Sequence, residues 1–464
     1  MGEINFLNLR IIHAICGLLI IVPAYTFYRL FSTRLVALGT TVLLMSQHAL
    51  VNISRMLSRN NLPVLNILTA FLLLFIGLKR KCPWYSFAGG VVAGLSFYHY
   101  CVGRVIFIIW LVFIALVALF YREEIPFRQL RKIVLASMFG FIITAGPIVI
   151  QSTYKADQRL FEYGKKQLLI FKAGRENQRN WYNLSTIEEG VRLNIKNGLT
   201  VFNRRQVDWA NQYPNLKHGF VDPLTGILIW IGLISILWRR KKNLKDLLVV
   251  SSFLTLWMIF IFISNTTPNY TRLLIILPFV ALLTAEGLRV IIHFADRAFL
   301  NHIFKSASIQ SVKNLFFVFG VVIIFYWNGF MWGDYIKKGL IDGDYGFMGK
   351  TLRYVESRMG QKNYSFYTVY NEMNSYFTHG FHGRFEKVVG DPKKTRVVQI
   401  ENIINDTYGP PFTIFIFQNH WKDSRQILLE KYPQMKIHSM NSDASYLAIE
   451  VLNQTGPDRN YFRN

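Results

Sequence analysis

Long apolar runs recur along the chain, parted by short polar stretches. Arg104–Leu119 reads RVIFIIWLVFIALVAL, and Leu315–Phe330 reads LFFVFGVVIIFYWNGF. A hydrocarbon core about 30 Å thick is crossed by about 20 apolar residues in a helix that rises about 1.5 Å per residue. One such run suits a buried core helix, but a series with charged connectors does not. The pattern predicts about ten spans, near Leu9–Tyr28, Leu35–Arg55, Val64–Leu78, Trp84–Tyr100, Val102–Tyr121, Ile133–Gln151, Leu224–Trp238, Leu247–Ser264, Arg272–Ile292 and Leu315–Trp332.

From about Lys338 the periodicity becomes that of a water-soluble protein. A helix pattern covers Phe347–Met359, apolar strands cover Ser365–Tyr370 and Thr413–Phe417, a helix covers Ser424–Lys431, and a strand covers Ser445–Leu452. The expected architecture is an all-α multi-span membrane bundle over residues 1–337, followed by a small α/β domain over residues 338–464. The long polar segment 152–222 interrupts the bundle, and a loop of that length carries its own structure or a function. Ser185-Thr186-Ile187-Glu188 within it reads as a capping box that opens a helix.

Charge orients the spans. The formal balance of +25 invites a nucleic-acid reading, but much of the excess lies in short loops, as in Lys79-Arg80-Lys81 and Arg239–Lys242. That placement follows the positive-inside rule, so nucleic acid is not an expected partner. The basic loops 28–34, 79–81, 121–132, 239–245 and 289–313 alternate with the remaining connectors. The rule puts the basic set in the cytoplasm, and both ends of the chain and the α/β domain outside the cell. An outward start of so few residues leads to the expectation of one more span upstream of Met1. The three cysteines, Cys16, Cys82 and Cys101, form no C-x-x-C pair, and neither His48 nor His99 has acidic or Cys companions at metal-ligand spacing. No metal is expected.

Ionisable side chains at span ends are the candidate chemistry, because a charge in the bilayer is costly and commonly functional. His48, Asn52, Arg55 and Arg59 recur at helical spacing in the outward half of the second span. Tyr100 and Arg104 lie where the fourth span meets the fifth, Arg10 opens the first, and Tyr270 and Arg272 open the ninth. Arg159 follows in the external segment. Each alone suits an interfacial anchor. Together they place cations and hydrogen-bonding aromatics at one depth, where a lipid phosphate sits, and guanidinium binds phosphate through a planar fork.

Several short motifs occur in order. They are Leu9-Arg10 through Arg34, Leu43–Ser46 to Ser54-Arg55, Ala93–Leu95 to Tyr98, Tyr100 and Arg104, Gly146-Pro147 followed by Arg159, Val221-Asp222-Pro223 with Gly232-Leu233, and Pro268 to Arg272 with Pro278. In this the chain resembles the polyprenyl-phosphate-sugar-dependent membrane glycosyltransferases of the GT-C superfamily, which include protein mannosyltransferases and the aminoarabinose transferase of lipid A. The resemblance implies a GT-C-like bundle in the plasma membrane that moves a sugar from a polyprenyl-phosphate donor to an envelope acceptor (lipid, glycan or protein) on the outer face. It implies no cofactor beyond the lipid-linked donor, with membrane lipids and the acceptor as partners. It also implies donor-phosphate or lipid contacts at Arg10, Arg55, Arg59, Arg104, Arg159, Tyr270 and Arg272. The family's catalytic Asp lies in the first external loop, which this chain lacks, so the base is expected upstream of Met1. Two other readings stand beside the enzyme: a non-catalytic GT-C-fold protein that binds or scaffolds envelope glycolipids, and a transporter.

Overall fold

In the computed structural model the described residues are 6–55, 61–99, 101–154, 165–182, 184, 186–204, 219–239, 243–265, 267–297 and 306–336, then 365–369, 395–398, 412–417, 429–430, 432–433, 435–439 and 446–451. The chain divides into two compact units, Met1–Gly333 and Asp334–Asn464.

The first unit is helical, and among the described residues each apolar run named above is mostly helix. The first run is α1 (Phe6–Leu19) and α2 (Ile21–Arg29), and the second is α3 (Arg34–Met45) and α4 (His48–Arg55). Next come α5 (Leu62–Arg80), α6 (Pro83–Leu95), α7 (Ile106–Phe120) and α8 (Phe127–Tyr154). The long polar segment contributes α9 (Lys172–Tyr182) and α10 (Ile187–Thr200). The remainder is α11 (Pro223–Trp238), α12 (Leu244–Trp257), α13 (Tyr270–Leu273), α14 (Leu277–Ala295) and α15 (Ser306–Ile336). Among the described residues seven continuous helical stretches are long and apolar enough to cross a bilayer, and the α3–α4 pair makes an eighth if it is one bent span. Helix α11, at 16 residues, and α6, at 13, are shorter.

Two expectations need correction. The second span is not one straight helix: α3 and α4 meet at a bend of 62°. At the break the Ser46 hydroxyl and the Gln47 side-chain amide both donate to the Leu43 carbonyl, each at 3.2 Å, competing with the helical ladder. His48, Asn52 and Arg55 therefore share a short helix of their own, and Arg59 lies outside the described residues. The capping box is shifted by one residue. Thr186 is the cap, its hydroxyl accepting from Glu189 N at 3.2 Å, while the Glu189 carboxylate accepts from Thr186 N at 3.4 Å. Glu188 instead receives Arg192 one turn on, at 2.8 Å.

The bundle's outer surface is apolar. Leu135, Phe139, Ile142 and Ile143 on α8, and Leu315, Phe319, Val322 and Phe330 on α15, are exposed. A contiguous apolar surface of that kind belongs in lipid, where water cannot penalise it. Inside, two helix pairs meet backbone to backbone at glycines. A Cβ on Gly232 of α11 would stand 2.1 Å from the Leu283 carbonyl oxygen of α14, and one on Gly287 of α14 would stand 2.3 Å from that of Leu228. Gly90 of α6 and Gly140 of α8 make the same close approach to Ser137 and Phe87. Membrane helices gain little from the hydrophobic effect between themselves, and small residues let dispersion contacts take over.

The second unit holds a mixed five-stranded sheet in the order β2-β1-β3-β5-β4. Strands β1 (Ser365–Val369), β2 (Thr395–Val398) and β3 (Phe412–Phe417) are mutually parallel, and β5 (Tyr446–Val451) runs antiparallel between β3 and β4 (Lys436–Ser439). Three strands match the expectation to within one residue at each end, while β2 and β4 are additional. The helix expected at Phe347–Met359 lies outside the described residues, and of Ser424–Lys431 only Leu429 and Glu430 are described, both helical.

Candidate functional site

The site forms where the bundle's ninth span begins. Asn269 caps α13: its carboxamide oxygen accepts from Arg272 N at 3.2 Å and from the Thr271 hydroxyl at 2.7 Å. This turn holds Arg272 inward, and the residue is 5 % exposed. Its Nη1 donates to the Ser264 hydroxyl at 3.0 Å, and its Nη2 donates to the Gln167 side-chain oxygen. Both acceptors are neutral. Among the described residues no carboxylate pairs with this guanidinium. A buried cation normally demands a counter-charge, and the acceptors this one has among the described residues are neutral.

The long polar segment closes over this turn through neutral amides. Gln167 O accepts from Asn265 N at 2.9 Å, and Ile263 O accepts from Leu169 N at 2.8 Å. Asn194 of α10 donates to the carbonyls of Phe262 and Ser264, at 3.0 and 2.8 Å, and accepts from Gln178 of α9 at 2.9 Å. Asn197 donates to the Thr267 carbonyl at 2.8 Å, and the Trp257 indole to the Gly198 carbonyl at 3.1 Å. A polar segment of this kind stays ordered against the bundle because each buried amide finds a partner.

A second polar path runs from the same region to α4. The Tyr270 ring is 2 % exposed and packs on Phe220 at 5.2 Å between centroids. Two residues on, Asp222 caps α11, with Oδ1 accepting from Thr225 N at 2.9 Å. Its Oδ2 accepts from the Asn328 side chain of α15 at 2.8 Å, and Asn328 Oδ1 accepts from His48 N at 3.3 Å. Burial pushes the Asp222 carboxyl above the ordinary carboxylate range, opposed by the hydrogen bonds from Thr225 and Asn328. On α4, His48 and Asn52 are fully buried, and the Asn52 carboxamide has no hydrogen-bond partner among the described residues.

Of the ten candidate residues, the structure joins Tyr270 and Arg272 on one turn and His48 and Asn52 on α4, linked through Phe220, Asp222 and Asn328. Arg104 is half-buried in the 3₁₀ turn Cys101–Val105 that leads into α7. Arg10 lies on α1 and Arg55 on α4, with side chains outside the described set, and Arg59, Tyr100 and Arg159 lie outside it altogether. Gln167, Asn194 and Asn328 have no motif to announce them, because each is uncharged and has a partner far off in sequence, and Ser264, though close to Arg272 in the chain, is an uncharged hydroxyl. Among the described residues no three His, Cys, Asp or Glu side chains are grouped to hold a metal.

Comparison with known proteins bears on the fold. No family model and no curated protein matches the chain. Among solved structures, ArnT from Cupriavidus metallidurans bound to undecaprenyl phosphate superposes with a TM-score of 0.52 at 11% identity, over 97% of this chain and 85% of that one. The apo state of the same protein gives 0.51 at 13% identity, over 97% and 84%. At such identity the likeness is one of fold, and the chain shares that architecture, a helical membrane bundle with a small α/β unit after it.

Proposed function

We propose that this protein is a membrane glycosyltransferase that takes a sugar from a polyprenyl-phosphate-linked donor and passes it to an envelope acceptor on the outer face of the plasma membrane. The observation that carries the reading is Arg272, a buried guanidinium whose partners among the described residues are all neutral. It lies in a chain with the fold of a protein crystallised with undecaprenyl phosphate. In this reading Arg272 meets the donor phosphate, and Tyr270 and the α4 face that bears His48, Asn52 and Arg55 line the way to it. Arg10, Arg59, Tyr100, Arg104 and Arg159 are further donor contacts. Stabilising the phosphate oxyanion as the glycosidic bond breaks is the contribution asked of the cations. Residues 338–464 form an outer domain that positions the acceptor.

The test is saturable binding of undecaprenyl phosphate to the purified full chain in detergent. Binding is expected in the wild type and lost in Arg55→Ala/Arg272→Ala, with the thermal unfolding of that variant retained. Equal binding by the folded double variant would sink the assignment of these two residues.

A second reading keeps the lipid phosphate and drops the transfer. It is favoured by Asp222, whose two oxygens are both committed to structural partners. Binding of a polyprenyl-phosphate sugar without its consumption distinguishes this scaffold from the enzyme.

A further inference from the structure

A second charged hollow lies at the opposite end of the bundle, about 24 Å from Asp222 along α11 at 1.5 Å per residue. It forms where the α2–α3 connector, the α11–α12 connector and the middle turns of α14 meet. Two adjoining cavities, of about 270 and 590 Å³, share Phe31, Val36, Lys245 and Arg289 in their walls. Their combined lining holds five cations and two carboxylates.

Both carboxylates are already neutralised. Arg239 reaches Asp246 at 3.1 Å and also pairs with Glu286, whose other oxygen accepts from Arg289 at 3.1 Å. Arg29 donates to the Ser32 carbonyl at 2.6 Å, which holds its guanidinium beside the opening. Arg34 and Lys245 make no hydrogen bond or direct ion pair among the described residues, although Lys245 feels the attraction of Asp246 and the repulsion of Lys79. The excess positive charge thus falls on the outer cavity, whose lining contains no acid among the described residues. Ordinary surface cations stand apart in water, whereas these converge on one hollow with an apolar wall of Phe31, Val36, Val249 and Leu282. A guanidinium and an ammonium that face one space, with the nearby acids spent on other partners, suit a phosphate group.

We propose that this hollow is a binding site for a phosphate-bearing ligand, separate from the site at Arg272, with Arg34 and Lys245 as the direct contacts and the Arg239–Asp246–Glu286 cluster as the rigid wall behind them. Two sources share that chemistry: a phospholipid headgroup of the leaflet at this end, and free phosphate. The apolar wall continues toward lipid-facing α3, where Leu38 is exposed.

The experiment measures the dissociation constants of the purified full chain in detergent for two probes, short-chain phosphatidylglycerol and inorganic phosphate. Arg34→Gln/Lys245→Gln is expected to weaken the preferred probe by about tenfold or more, the loss of one charge-assisted contact or two. Arg34→Lys/Lys245→Arg, which keeps both charges, is expected to restore most of the affinity. Arg128→Gln/Arg131→Gln, cations of α8 that line neither cavity, is expected to change it less than about twofold, within the ordinary range for remote sites. Tighter binding of phosphatidylglycerol identifies a lipid site, and tighter binding of inorganic phosphate a soluble-anion site. The proposal is overturned if neither probe saturates, if the α8 variant weakens binding as much as the Arg34/Lys245 variant does, or if Arg272→Ala alone abolishes it.

Discussion

Replacing Arg272 tests the functional reading at the point where the structure is most specific. Its guanidinium is 5 % exposed and spends two nitrogens on Ser264 and Gln167. A hydrogen bond that involves a charged group contributes about 1.5–3 kcal/mol. If a lipid phosphate completes the set, Arg272→Ala removes one such contact from the bound state, which is about 10- to 150-fold in affinity at 1.4 kcal/mol per decade. Arg272→Lys keeps the charge and loses the fork, and is expected to fall between alanine and wild type. The internal bonds act separately on stability. Ser264→Ala removes one of them and no ligand contact, so it is expected to lower the unfolding midpoint while leaving affinity within about threefold. The assay is equilibrium titration of undecaprenyl phosphate against each variant in detergent, beside its thermal melt. An Arg272→Ala protein that melts below wild type yet binds with unchanged affinity would refute the reasoning, because the arginine would then be a structural cation satisfied by its neutral neighbours.

The remaining expectations concern the framework around the site. Gly232→Ala and Gly287→Ala each drive a methyl into a backbone carbonyl of the facing helix, and each is expected to destabilise the bundle by about 1–3 kcal/mol. Gly329→Ala, where an added Cβ meets nothing within 4 Å, is expected to be neutral or to stabilise by up to about 1 kcal/mol in the same thermal melts. Asn194→Ala removes two donations that hold α10 to residues 262–264 and one acceptance from Gln178 of α9, and is expected to expose the 165–200 segment to limited proteolysis well before the bundle is cut. For Asp222 the sign follows from its raised pKa: the protonated carboxyl is favoured in the folded state, so its contribution is full below the unfolded value of about 3.9 and declines as pH rises through the folded value. Asp222→Asn, which still caps α11, is expected to flatten that decline in melts taken across the range, whereas Asp222→Ala loses the cap and about 1 kcal/mol at every pH.

Legibility in the sequence tracks how local each signal is. Apolar runs need only their own length to be read, so the spans and three of the five strands stand out from the pattern of residues alone. The α3–α4 bend does not, because Ser46 and Gln47 break the helix by bonding to one carbonyl and carry none of the usual Gly or Pro punctuation. Strands β2 and β4 are four residues each and hold charged side chains, which masks a period of two. At the site, Arg272 is conspicuous as a charge at the mouth of a span. Its neutral partner Gln167, 105 residues away in the chain, has no charge to betray it. The link from Asp222 through Asn328 to His48 is likewise built from groups whose pairing only the tertiary fold decides.

The glycine seam between α11 and α14 has a consequence for the membrane itself. Arg272 and Arg289 lie about 26 Å apart along the α13–α14 axis at 1.5 Å per residue, somewhat less than the thickness of an average hydrocarbon core. With its backbone pressed against a neighbour at Gly287, this rod has no freedom to lean on its own. Leaning would only shorten the span, so a thicker bilayer must thin around the protein or the end residues must snorkel, at a cost of fractions of a kcal/mol per Å. Acyl-chain length thereby becomes a dial that acts on both charged ends of the molecule at once.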